Sequence, residues 1–319
     1  MPWSRARAAA ASSGAVALLV NPVEFHGPHL SLHNDALVAR GLAAELERAL
    51  ERRGMRGPLA IAGELEVGVE PVPGPGSRAT SLAQASALVV EACVSLAELG
   101  AKRVVLLTFH GAPLHARALH AGIEALARRG VPAVAPLDAA LRMIGDLDPH
   151  RFADVLEHVP EGERARLAAE LPLDYHAGFL ETSVALALAP DAVDPAYRTL
   201  PPCPDFAPDR RLEAASRAAR RAGRAELARE LATAAHFVAW RAVRPFPGYT
   251  GRPHLASAEA GRAIVRHLTD VLADATWDAI GRNVPSPPPP MSWLATATLG
   301  GRLMRNERLR ARDVVPALD

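Results

Sequence analysis

Lysine is almost missing: Lys102 stands alone among 36 basic residues, the rest being arginine. A Schiff-base or catalytic-lysine chemistry therefore has a single candidate. Cysteine is scarce as well. Cys93 and Cys203 cannot form a disulfide framework; the pair fits a reducing compartment, and Cys93, in an apolar helical pattern, reads as a buried inert thiol. No run of 18 apolar residues occurs, which leaves no membrane-spanning helix to expect. Excess charge is missing too. With 36 basic against 35 acidic residues the net charge is +1, so electrostatics gives no case for nucleic acid or an anionic membrane as partner. There is no Gly-x-Ser-x-Gly elbow, Walker loop or His-Glu-x-x-His. The stretch 74–79 (GPGSRA) mimics a dinucleotide loop but lacks a preceding strand.

What is present is a 319-residue chain with 49% apolar and 22% charged residues, a globular balance. Residues 1–14 read as an N-terminal tail. Its Arg and small residues mimic a short signal, yet the apolar run 15–20 (AVALLV) reads better as a first strand, so a cytoplasmic protein is expected. A helix follows over 35–53, with Leu37, Leu42, Leu46 and Leu50 on one face, Asn34 as N-cap and Gly54 as stop. Strands are expected at 58–62, 103–108 and 132–136, helices at 80–99 and 114–129, and a long Gly/Pro loop at 63–78. The alternation predicts βαβ units and a mainly parallel sheet, where ligands bind beyond the carboxyl ends of the strands. Beyond it, 138–171 reads as broken helix, 178–189 as an apolar helix, and 190–208 as a Pro-rich surface segment. Residues 209–235 read as an Arg/Glu helix with a solvated face, 236–244 as a late strand, and 256–272 as an amphipathic helix. A Pro-rich arm closes the chain from about 276 to 319.

Chemistry concentrates in three places. The segment 24–35 (EFHGPHLSLHND) carries two carboxylates and three imidazoles between a strand and a helix, a ligand set suited to divalent Zn, Mn or Fe. Glu24 and His26, two apart on extended chain, point the same way, and Asp35 opens the helix. His110 follows the 103–108 strand, with small Gly111 and Ala112 beside it; His115 and His120, five apart, read as ordinary helix residues. In the segment 174–183 (DYHAGFLETS), His176 sits in a turn, and Glu181 among Leu180, Val184, Leu186 and Leu188 needs a cation to offset its burial. Five N/O ligands with a shared carboxylate can hold two metals about 3.5–4 Å apart.

These motifs resemble the creatininase (creatinine amidohydrolase) family. Residues 24–35 are similar to its E-x-H-G-P-H-L-P-x-x-x-D segment, with the same spacing of eleven from Glu to Asp. Residues 176–183 resemble its H-A-G-x-x-E-T-S segment, and 248–261 (GYTGRPHLASAEAG) its late G-x-x-G-x-P-x-x-A-x-x-E-x-G stretch. The similarity spans roughly 15–275. It implies a three-layer α/β/α sandwich and a divalent metal site, commonly binuclear. Glu24, Asp35 and His110 would bind one metal and His26, Asp35 and Glu181 the other, with Asp35 bridging and His176 beside the substrate as catalytic residue. Family members cleave C–N bonds of cyclic amides or formamides with a metal-activated water, or process a modified peptide as in mycofactocin maturation, and are often hexameric homo-oligomers.

The departures bear on substrate. The family's N-G-H-G-G-N becomes Thr108-Phe109-His110-Gly111-Ala112-Pro113, so the metal His stays while its flanks change. Creatininase carries Glu where this chain has Ala112, which leaves Glu181 to serve the second metal. His33-Asn34 replaces a Gly-Thr pair. These changes argue against creatinine itself and mark His33, Phe109 and Tyr175 as candidate substrate-binding residues. The expected function is a metal-dependent amidohydrolase acting on a small amide-type substrate. The alternatives are a processing peptidase for a modified precursor peptide and a catalytically silent metal-binding subunit.

Overall fold

The computed structural model describes residues 2–145, 152–304 and 307–315. Its centre is a parallel four-stranded sheet in the order β2-β1-β3-β4, made of β1 (Ala15–Asn21), β2 (Leu59–Glu66), β3 (Val104–Leu107) and β4 (Ala133–Val134). β1 is buried at every position, as a strand covered on both faces must be. Its side chains divide by parity. Ala15, Ala17 and Leu19 join one core cluster with Val105 and Leu107; Val16, Leu18 and Val20 join a second with Val104 and Leu106.

The helices cover both faces. The first cluster takes most of its helical side chains from α2 (Asn34–Arg52), α8 (Phe179–Leu188) and α11 (Ala258–Thr276), and the second most of its own from α3 (Leu82–Glu98) and α4 (Pro113–Ala127). The expected three-layer α/β/α sandwich is therefore present. In α2, Val38, Leu42, Leu46 and Leu50 recur at helical spacing, each at most 2% exposed, and this stripe faces the sheet. The α8–α11 crossing is close because Gly261 has no side chain: a Cβ there would lie 1.8 Å from the Ser183 carbonyl oxygen.

Several expectations shift. β2 runs on to Glu66, into the segment read as loop, and β4 shrinks to two residues. The 1–14 segment holds a helix, α1 (Trp3–Ser12). The 138–171 stretch contains α5 (Leu137–Gly145), α6 (Ala153–Leu156) and α7 (Glu161–Glu170), with 146–151 outside the described residues. The single helix expected over 209–235 is two, α9 (Arg210–Arg221) and α10 (Ala225–Arg241), parted at Gly223 with its φ of 73°. The late strand expected at 236–244 is a correction: most of it is the last turns of α10. Its apolar residues mimic a strand, but Phe237 and Trp240, three apart, lie on one helix face against Tyr175.

The C-terminal arm crosses the domain. Leu294, Ala295 and Met304 pack on the second cluster, and Leu309 and Val314 join Phe25, Val72, Trp240 and Phe246 in a third. Among the described residues no helix is long and apolar enough to cross a membrane.

Candidate metal centre

All five candidate ligands converge at the carboxyl ends of β1 and β3. Glu24 and His26 leave β1 on the following segment, Asp35 opens α2, His110 leaves β3, and Glu181 sits in the first turn of α8. Ligand atoms of Glu24, Asp35 and His110 all lie within 4.8 Å of one another, and the same holds for His26, Asp35 and Glu181 and for Glu24, His26 and His176. Asp35 thus belongs to two triads at once. His26 Nε2 is 3.2 Å from both Asp35 Oδ1 and Glu181 Oε1; His110 Nδ1 is 2.9 Å from Glu24 Oε2 and 3.8 Å from Asp35 Oδ2.

The imidazoles are held in one tautomer by backbone. His26 Nδ1–H donates to the Glu24 carbonyl at 3.0 Å, His110 Nε2–H to the Val69 carbonyl at 3.0 Å, and His176 Nε2–H to the Phe25 carbonyl at 3.0 Å. Each ring therefore turns its other nitrogen towards the carboxylates, the outer support expected of metal-ligating histidines. Despite the short approaches, Glu24 Oε2, His26 Nε2 and Asp35 Oδ2 are buried without a hydrogen-bond partner among the described residues. Unpaired buried donors and acceptors aimed at one another's midst are costly unless a cation completes them. The donor set of carboxylate oxygens and imidazole nitrogens fits such a cation.

The electrostatics carries the same imprint. Burial pushes the Asp35 carboxyl up to about 6, the Glu24 charge adding to it against His26. Burial works against the His110 imidazolium, but Glu24 outweighs it and raises His110 to about 9. His26 is likewise raised against its burial by Glu181 and Asp35. Glu24 and Glu181 are lowered despite burial, by His110 and His26 respectively. His176 is lowered, by burial and the neighbouring His26, whose ring stacks on it at 4.4 Å.

Of the remaining candidates, His176 borders the ligand cluster through its triad with Glu24 and His26. His176 Nδ1 is 3.9 Å from Glu181 Oε2, and Trp240 packs 5.6 Å behind its ring. Tyr175 rests on Phe237 and Trp240, its hydroxyl buried with no partner among the described residues. Phe109 is half-buried, its N–H donating to Asn21 Oδ1 at 2.9 Å. His33 is the outlier. Its side chain is 51% exposed and lies 3.5 Å from Glu66, away from the ligand cluster.

Four supporting residues were not legible as such. Asn34, expected to cap α2, is helical instead and donates from Nδ2 to Glu181 Oε1 at 3.0 Å, His33 taking the N-cap position. His115, read as an ordinary helix residue, is fully buried under His110, 3.1 Å from the Val20 carbonyl; burial and the His110 charge push it down to about 3. His29 is buried against Thr182. Thr250 accepts from the His176 N–H and donates to its carbonyl, both at 3.1 Å, which gives the 248–261 motif a scaffolding role. Only the motif's clustering of polar residues hinted at His29; nothing local marked the others. A surface cleft of about 570 Å³ between α9 and α10, lined by Arg217, Arg220 and Arg221, shares no residue with this site.

A doubly covered parallel sheet with a buried carboxylate–imidazole cluster at its strand ends defines a class, the α/β metal-dependent hydrolases. The chain belongs to the creatininase (creatinine amidohydrolase) family, whose match spans residues 1–276. Solved structures share the fold. A creatininase named with Mn is 20% identical at a TM-score of 0.54, over 87% of this chain and 96% of that one. A variant creatininase of the Zn-Zn type is 20% identical at 0.53, over 87% and 95%. A putative creatinine amidohydrolase from Bacteroides fragilis is 20% identical at 0.51, over 82% and 89%. A search of curated proteins returned no match. Family membership makes metal-dependent amidohydrolase the class of activity.

Proposed function

We propose that this protein hydrolyses a C–N bond of a small amide-type substrate, a cyclic amide or a formamide, at a centre of two divalent cations. The observation that carries the reading is Asp35, the one residue shared by the two triads that each contain two carboxylates, Glu24–Asp35–His110 and His26–Asp35–Glu181. Glu24, Asp35 and His110 would hold one ion and His26, Asp35 and Glu181 the other. When bound, such a pair supplies positive charge that lowers the pKa of water and polarises a carbonyl oxygen. The names of the similar structures, one with Mn and one of Zn-Zn type, support Mn or Zn, and the ligand set also accepts Fe.

The chain's own part is proton handling and positioning. His176 is neutral, with its Nε2–H held by the Phe25 carbonyl, so its free Nδ1 accepts a proton from the attacking water and delivers it to the departing nitrogen. Trp240 behind the ring fixes its orientation and excludes solvent. The unpartnered Tyr175 hydroxyl offers a polar contact to the substrate, and Phe109 an apolar one. His33, exposed at the N-cap of α2, would meet only the outer end of a larger substrate. A homo-oligomer, a hexamer in the family resembled, belongs to this proposal and is read by light scattering after gel filtration.

The experiment is a panel of lactams, cyclic ureides, formamides and short peptides offered to the metal-loaded protein, to the chelator-stripped protein, and to stripped protein reloaded with Mn or Zn. Turnover of a small amide, lost on stripping and regained on reloading, is expected. Cleavage confined to peptides would shift the reading to a processing peptidase. Tight metal binding with no turnover anywhere would make the chain a silent subunit.

A further inference from the structure

His29 lies in the same twelve-residue segment as three of the ligands, yet its ring makes no approach to the carboxylates. It is 1% exposed, with the Tyr249 ring edge-on at 5.9 Å. Its Nε2 is 2.9 Å from Thr182 Oγ1, and that hydroxyl, itself fully buried, donates to the Ala177 carbonyl at 3.2 Å. A hydroxyl has one proton. With that proton on Ala177, His29 is the donor in the first contact and carries its own proton on Nε2, which also lies within hydrogen-bonding reach of the Ala177 carbonyl. Its Nδ1 then faces no donor, and it is buried without a partner among the described residues.

The chain of bonds ends on a strained residue. Ala177 holds a φ of 47°, a left-handed conformation that a residue with a Cβ adopts only under strain. In that conformation its N–H donates to Glu181 Oε2. Asn34 fixes the other oxygen, Glu181 Oε1, from the opposite side. Ala177 also follows His176 directly. Residue Ala177 therefore connects the proton carrier to a ligand carboxylate: its N–H lies in the peptide whose carbonyl Thr250 holds, and its own carbonyl, in the next peptide, is tied down by Thr182 and His29.

We infer that His29 is a positioning residue: with Thr182 it pins the Ala177 carbonyl, which holds the left-handed turn at Ala177 that presents its N–H to Glu181 and thereby aims Glu181 at its ion. This rests on the two-ion reading of the site. It differs from a ligand role, and it is specific to one ion, because Glu24, Asp35 and His110 do not depend on the Ala177 peptide.

The test is titration of metal-stripped protein with Zn against a competing chelator, resolving two affinities, for the wild type and for His29→Ala, His29→Gln and Thr182→Val. Losing an outer support of a metal ligand typically costs 10–100-fold in affinity. His29→Ala and Thr182→Val should each weaken one site by about that factor and leave the other at its wild-type affinity. His29→Gln, which offers an N–H near the position of Nε2, should recover most of the loss. In a Glu181→Gln background, His29→Ala should have no further effect. If His29→Ala fails to fold, the isosteric Thr182→Val decides. Unchanged affinities in a wild type that binds two ions, or equal weakening of both sites, would overturn the inference while leaving the metal centre standing. A wild type that binds fewer than two ions would overturn the metal-centre reading itself, and this inference with it.

Discussion

Loading the centre with metal should expel protons. Without metal, His110 titrates at about 9, so at pH 7 all but roughly one chain in a hundred carries a proton on His110. Nδ1 is the nitrogen that must be bare to ligate, because Nε2–H is committed to the Val69 carbonyl. His26 is raised for the same reason, by Glu181 and Asp35 against its burial, and contributes a second proton from Nε2. Asp35, at about 6, is mostly ionised and adds little. About two protons per chain should therefore leave on loading at pH 7. Each linked proton contributes about 1.4 kcal/mol per pH unit, so lowering the pH from 8 to 7 should weaken loading by about a hundredfold. The assay is titration calorimetry of Zn into stripped protein in two buffers of different ionisation enthalpy, from which the proton count follows directly. The same shifts set a stability trend. A histidine raised in the fold contributes stability that is complete below its unfolded pKa of about 6.5 and lost as pH rises through the folded value. The stripped protein should accordingly melt at lower temperature at pH 9 than at pH 6.5, and the metal-loaded protein should lose this dependence. A proton release near zero would refute the reasoning, since it would mean that the histidines are not held charged by the carboxylates in the empty site.

Glu24→Gln and Glu181→Gln should each leave about one ion per chain by elemental analysis, because in the proposed assignment Glu24 serves one ion and Glu181 the other while Asp35 serves both. His176→Gln should keep both ions and lower kcat by about 10²–10⁴-fold, the range for a lost general acid–base group; stopped-flow turnover on whichever amide the panel identifies reads this, and an unchanged kcat would remove the proton role. Gly261→Ala should destabilise the fold by about 1–3 kcal/mol in denaturant unfolding, the usual cost of overpacking, because its Cβ would meet the Ser183 carbonyl oxygen at 1.8 Å.

The strands and the ligands were legible because their signals are local. β1 is an unbroken apolar run, and the Glu24, His26 and Asp35 spacing fits one loop between a strand and a helix. That His110 and Glu181 join them was hinted at by the small residues beside His110 and the apolar residues around Glu181, and followed mainly from motif resemblance and from the rule that ligands gather at strand ends. The supporting residues were hidden for a physical reason. Asn34 has the look of an N-cap, and its service to Glu181, 147 residues away, exists only once α2 and α8 pack together. His115 looks like a surface helix residue until α4 closes over the sheet and buries it under His110. The last turns of α10 were misread because Phe237, Val238 and Trp240 have strand-forming side chains, and tertiary contacts with Tyr175 and His176 overrode that preference. His33 gained its candidacy from a departure in a motif, and the fold turned it towards Glu66.

If one carboxylate serves two ions, replacing Asp35 by Asn should empty both sites, and the metal content of that variant reads the outcome. Elemental analysis of the wild type and of this variant, purified side by side and checked for folding by circular dichroism, should give about two ions per chain in the first and essentially none in the second. A folded Asp35→Asn protein that keeps its full complement would contradict the account, because the shared ligand would then not be shared.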